Sequence, residues 1–155
     1  RLKKVEAAIN SLAKAHYPEL FDQLRTVPGL GPRSVVALLA LTSGFSRFET
    51  PKQLAAYVGL APKVVASGTM KLKSVSICKM GNARIRKILY MASISAAKCN
   101  PACAARFNRL KTKGKTTKQA LVAVAHKLLR QAFAVAQKMK PFDPKLSLAK
   151  TPTIS

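Results

Sequence analysis

A chain of 155 residues carries 28 lysines and arginines against five acids, a formal net charge of +23. That excess repels itself in a free globule, which makes a polyanion partner the natural expectation; spread over many segments, it does not describe a single membrane-binding amphipathic helix. The five acids, Glu6, Glu19, Asp22, Glu49 and Asp143, are too scattered for a two-metal carboxylate site within the chain.

In chain order, Arg1 to Lys14 reads as a helix from Val5, Ile9 and Leu12. With no initiator methionine before it, the reading is of a piece of a longer protein, cut in or just before a helix. After Tyr17-Pro18 a short helix runs through Leu20, Phe21 and Leu24 to Val27. "PGLGP" then makes a tight connection, and Arg33 to Leu41 resume an apolar helix. Thr50, Pro51 and Gln53 are the start signal of a helix that stops near Gly59.

The next stretch, "PKVVASGTMKLKSVSI", looks extended at Val64-Val65 and from Leu72 to Ile77. Asn82 then caps a helix with Ile85, Ile88, Leu89, Ala92, Ala96 and Cys99 at core spacing. Asn100-Pro101 starts another, which ends in the cationic loop "KTKGK". Thr116 and Gln119 form a capping box for a last long helix, with its apolar stripe at Leu121, Val124, Ala125, Leu128, Ala132, Val135 and Ala136. Beyond Met139 the chain is an irregular tail.

The fold is therefore mainly α, with a helical hairpin and one short extended element around Ser67. Residues 20–138 are the domain proper and 139–155 the tail. No apolar run reaches membrane-spanning length. Cys78, Cys99 and Cys103 show no metal-ligand spacing and read as small buried thiols in a reducing cytoplasm. His16 and His126 are solitary.

Two pieces could carry chemistry. In the hairpin, Gly29 and Gly31 permit positive φ and bring amides to a helix start, where a duplex phosphate can accept, with Arg33 and Ser34 adding side-chain contacts. This looks like the helix-hairpin-helix motif of sequence-independent DNA binding; the plainer alternative is a hairpin that merely packs. The second piece is Ser67-Gly68. By spacing alone it is an ordinary turn pair. Gly68 would let a backbone approach, Lys63, Lys71, Lys73 and Lys79 flank it, and the Asn82-capped helix with Arg84, Arg86 and Lys87 follows. No local group could activate the hydroxyl. Lys113 and Lys115 add a further cationic loop.

Taken in order, "LRTVPGLGPRSVVALLA", "RFETPKQLAAYVGLAP", "ASGTMKLKSVSICKMGNARIRKILYMAS", "NPACAARFNRLKTKGK" and "ALVAVAHKLLRQAFAV" resemble the C-terminal transposase domain of the IS-one-ten family of insertion-sequence transposases, related to Piv-type DNA invertases. The resemblance covers about residues 20 to 138; Cys78 departs from it, where Ser or another small residue is expected. It implies an enzyme in which Ser67 is the recombination nucleophile, DNA the substrate and a bridge RNA the guide. It also implies a separate RuvC-like domain whose four acids bind magnesium, joined through a coiled coil of which residues 1–19 would be the end, so that this chain holds no cofactor itself. A homo-oligomer in a bacterial cytoplasm, on the nucleoid when acting, is expected as well. The competing expectation is a non-catalytic nucleic-acid-binding module using the same hairpin and cations.

Overall fold

The computed structural model describes residues 2–60 and 82–145. Among these residues there are seven helices and no strand: α1 (Leu2–His16), α2 (Pro18–Leu24), α3 (Pro32–Thr42), α4 (Pro51–Val58), α5 (Ala83–Cys99), α6 (Pro101–Thr112) and α7 (Thr117–Lys138). The mainly helical expectation holds. The extended element expected around Ser67 falls at 61–81, outside the described residues.

Side-chain caps set most of the helix starts. The Thr50 hydroxyl accepts from Gln53 N at 3.2 Å, while the Gln53 side chain reaches back to Glu49 N rather than to Thr50. Asn82 Oδ1 accepts from the amides of Arg84 and Ile85, and Asn100 Oδ1 from Cys103 N. Thr116 and Gln119 make the full reciprocal box at the head of α7.

α7 lies at the centre, packed against α5, α6, α2 and α4. One stripe does not suffice for a helix with neighbours on several sides: Leu129, Gln131 and Phe133 are buried along with the expected Leu121, Val124 and Leu128. Leu24, Leu38, Leu54, Ile85, Leu89 and Leu128 are fully buried and join in one core. Burying each such side chain is worth about 1.5–3 kcal/mol.

Three expectations need correction. α1 runs to His16, two residues past Lys14, and its stripe is not core: Leu2, Val5, Ile9 and Leu12 are exposed, α1 packing mainly on α2 and α3 among the described residues. Cys99 is exposed at the end of α5, whereas Cys103 is buried, and Cys78 lies outside the described residues. Ile88 is half-buried, and Ser93 takes the fully buried position on that face. The start of the tail packs irregularly, as expected: Thr26 Oγ1 accepts from Phe142 N at 2.8 Å, and Gln23 donates to Met139 O.

Candidate nucleic-acid interface

Between α2 and α3 the chain turns at Pro28 to Gly31. Gly29 has φ +101, and a Cβ there would lie 2.6 Å from Ala96 Cβ and 2.8 Å from the Ala96 Cα on α5. Its lack of a side chain is thus needed for packing as well as for φ. Gly31 differs from the expectation: its φ is −81, in the extended region, and a Cβ there would meet nothing within 4 Å. Gly31 is the N-cap of α3 and provides no side-chain cap for that helix. The first-turn amides of α3, at Arg33 and Ser34, therefore have no capping side chain. Ser34 itself is nearly buried, and the Arg33 guanidinium donates to the Glu6 carboxylate of α1 while staying exposed.

The two glycines separate packing from ligand approach. Gly29→Ala is expected to destabilise the fold by about 2 kcal/mol, through the clash and the positive φ. Gly31→Ala should leave the melting temperature within a degree or two, since a Cβ there meets nothing within 4 Å, and should weaken DNA binding if a backbone phosphate approaches these amides. Paired melting and DNA titrations check both. Equal destabilisation, or unchanged binding by a folded Gly31→Ala, would make the turn a packing element only.

Ser67, Gly68, Lys63, Lys71, Lys73 and Lys79 lie outside the described residues. The ends of their segment are placed. Gly59 closes α4 with φ +84, Leu60 N donates to Ala55 O at 2.9 Å, and Asn82 N donates to Tyr57 O at 3.0 Å. The chain thus leaves the end of α4 and re-enters at the head of α5 at one point. Arg84 and Lys87 are exposed on the first turns of α5, and Arg86 is half-buried. Because Asn82 already binds the Arg84 and Ile85 amides, α5 offers an anion its dipole and side chains more than those two amides.

Lys113 and Lys115 are exposed in the loop after α6, beside Gly114 at φ +84. Lys111 Nζ bonds Thr117 Oγ1 at 3.0 Å across that loop. Cations here also complement the carbonyl end of α6.

The sequence reading missed a third group, where α6 packs on α7. Arg106 and Arg109 stand one turn apart on α6, and Lys127 and Arg130 one turn apart on α7. Burial, then Arg109 and Arg130, hold the Arg106 guanidinium below its ordinary range; burial and then Arg106 do the same to Lys127. Its signal was legible: nineteen of the 28 lysines and arginines lie between Glu49 and Asp143, where there is no acid. Cys103, one turn before Arg106, is pushed up to about 12 by burial, in spite of Lys127 nearby, and is an unreactive thiol.

His126 is pushed down to about 4, by burial first and then by Arg130 and Arg106. Its folded value is below the ordinary 6.5, so between about 4 and 6.5 the unfolded chain binds a proton that the folded one does not. Its contribution is complete above pH 6.5, declines as pH falls toward 4, and changes no further below. His126→Gln should flatten the stability–pH curve in that window relative to wild type. Identical slopes by thermal unfolding would contradict this.

The carboxylates do not fit a magnesium site. Glu6 is paired with Arg33 and Asp22 with Lys14, and among the described residues no three His, Cys, Asp or Glu groups come together.

The family model described as "Transposase IS116/IS110/IS902 family" matches residues 22–109, from α2 through most of α6. The chain belongs to this transposase family. The pilin gene-inverting protein of Moraxella lacunata is 36% identical over 124 residues, covering 79% of this chain and 38% of that protein. The one from Moraxella bovis is equally similar. The 43.6 kDa protein of insertion element IS110 from Streptomyces coelicolor is 31% identical over 133 residues, 86% of this chain and 32% of that protein. This transposase-family chain thus spans well under half the length of these relatives. Among its described residues no helix is long and apolar enough to cross a membrane.

Proposed function

We propose that this chain is the DNA-gripping and strand-joining part of a DNA recombinase, with Ser67 as its nucleophile. The family membership carries the reading, since similar proteins are named for gene inversion and for insertion elements. Ser67 Oγ attacks a backbone phosphorus. An Oγ–P bond forms, the P–O bond to the leaving strand breaks, and that strand departs as a hydroxyl. The serine proton passes to a base outside this chain, an acid there protonates the leaving oxygen, and the phosphoserine ester is later attacked by the hydroxyl of the strand to be joined, which releases Ser67.

Several features support the division of labour. The segment bearing Ser67 starts and returns at one point beside α5, whose head carries Arg84 and Lys87. Cations there would neutralise charge developing on the phosphoryl oxygens. The uncapped start of α3 after Gly31 suits a backbone phosphate, in the manner of a helix-hairpin-helix. Such contacts hold DNA without reading it, so sequence choice is assigned to a guide RNA. The metal-binding carboxylates, the general base and the contacts of a homo-oligomer are assigned to other parts of the full-length protein.

The first test uses this chain by itself. It should bind duplexes of unrelated sequence with similar affinity and a steep negative slope of log K against log salt. It should cleave none of them, with or without magnesium. Sequence-selective, salt-insensitive binding, or cleavage by the pure chain, would overturn the reading.

A further inference from the structure

Arg106, Arg109, Lys127 and Arg130 have no part in the function proposed above. The Nε of Arg106 is buried and has no hydrogen-bond partner. The ion pairs among the described residues are Lys14–Asp22 and Arg33–Glu6, so none of these four cations meets a carboxylate there. Nor is an acid near in sequence: Glu49 and Asp143 are the closest on either side. A solvated charged face accounts for Arg109 and Arg130, which are exposed, and for Lys127, whose half-buried stem can carry its ammonium to water, but not for the buried Nε of Arg106. A guanidinium nitrogen out of water ordinarily has a partner, because its desolvation is otherwise uncompensated.

The cluster is also linked by hydrogen bonds to the turn between α2 and α3. Asn100 Nδ2 donates to Pro28 O at 3.1 Å and to Gln131 Oε1 at 2.8 Å. Asn100 and Cys103 lead along α6 to Arg106 within two turns, and Gln131 lies one turn beyond Lys127 on α7. The four cations therefore stand on helices that Asn100 bonds to that turn.

We propose that the seam where α6 packs on α7 is a second phosphate site, in which Arg106, Arg109, Lys127 and Arg130 take the backbone of duplex DNA. Guanidinium groups present paired donors to phosphate oxygens, and Lys127 adds a point charge. The site rests on the cluster itself; only the identity of the polyanion rests on the recombinase reading.

The test measures duplex affinity across salt concentrations for the full-length protein and its variants. Arg106→Gln with Lys127→Gln should weaken binding about tenfold or more and make the salt slope shallower by about one to two, as one or two phosphate contacts are lost. Arg109→Gln with Arg130→Gln, on exposed positions that leave folding alone, should act in the same direction. Lys3→Gln with Lys4→Gln, an equal charge change on α1, should cost less than about threefold. Without DNA, the cluster variants should melt no lower than wild type, because like charges have been relieved.

An effect of both cluster pairs no larger than that of the α1 pair overturns the site. So does a lower melting temperature with unchanged DNA binding, which makes the cluster structural. Loss of affinity for an RNA hairpin but not for duplex DNA overturns the assignment to DNA. Inorganic phosphate, followed by the NMR titration of the His126 ring, tests the site without nucleic acid. Phosphate should move the titration of His126 up toward its ordinary value, and Arg106→Gln with Lys127→Gln should abolish the movement. If wild type binds no duplex at all, the recombinase reading fails, and this phosphate titration alone then upholds or overturns the site.

Discussion

Loss of strand cleavage by about a thousandfold or more is the expected result of Ser67→Ala in the full-length protein. The magnitude follows from the role. Removing a hydroxyl that acts as nucleophile would leave only positioning and charge stabilisation, because alanine carries no group that can bond to phosphorus. Folding and DNA affinity should stay within about twofold, because one hydroxyl adds little to a grip made by many cations. Ser74→Ala and Ser76→Ala, on the same stretch, should remain near wild-type activity. A uniform loss in all three variants would point to a structural role for the stretch. Arg84→Gln should lower the cleavage rate more than affinity, if it meets charge that develops only in the transition state.

The largest expected loss of stability comes from Asn100→Ala, at about 4 kcal/mol. Asn100 is fully buried and joins three elements. Its Oδ1 caps α6 through Cys103 N at 3.4 Å, and its Nδ2 bonds Pro28 O and Gln131 Oε1. Loss of the cap costs about 1 kcal/mol. Withdrawing the buried donor from two acceptors costs about 1–3 kcal/mol more, and the void left in the core adds to that. The melting temperature should fall by about 10 °C. Asn108→Ala, on an exposed position of the same helix, should change it by a degree or two. If both variants melt alike, the Asn100 bridge contributes nothing and the turn is held by apolar packing alone. Because the bridge fixes Pro28, Asn100→Ala should also weaken DNA binding at temperatures where the variant is still folded.

Local signals in the sequence were reliable where the physics is local. Thr50, Asn82, Asn100 and Thr116 cap helices by bonds spanning two or three residues, and each cap lies where the sequence indicates. What depends on partners distant in the chain was not legible. The clash that makes Gly29 a packing position comes from Ala96, and the Arg33 ion pair from Glu6. Burial of Leu129 and Phe133 follows from α7 having neighbours on several sides, which one apolar stripe does not convey. The α6–α7 cations were missed because Arg106 and Lys127 meet only when the two helices pack. Their hint was compositional, in the stretch without acids. The identity of Ser67 as a candidate came from a different source, the resemblance of the ordered motifs, since Ser-Gly alone is a common turn pair.

Trapping the covalent protein–DNA intermediate and mapping the modified residue by mass spectrometry tests the central claim most directly. The account predicts a nucleotide attached to Ser67 in the full-length protein and no adduct in Ser67→Ala. An adduct on Ser74, Ser76, Tyr17, Tyr57 or Tyr90, or undiminished recombination by Ser67→Ala, would contradict it.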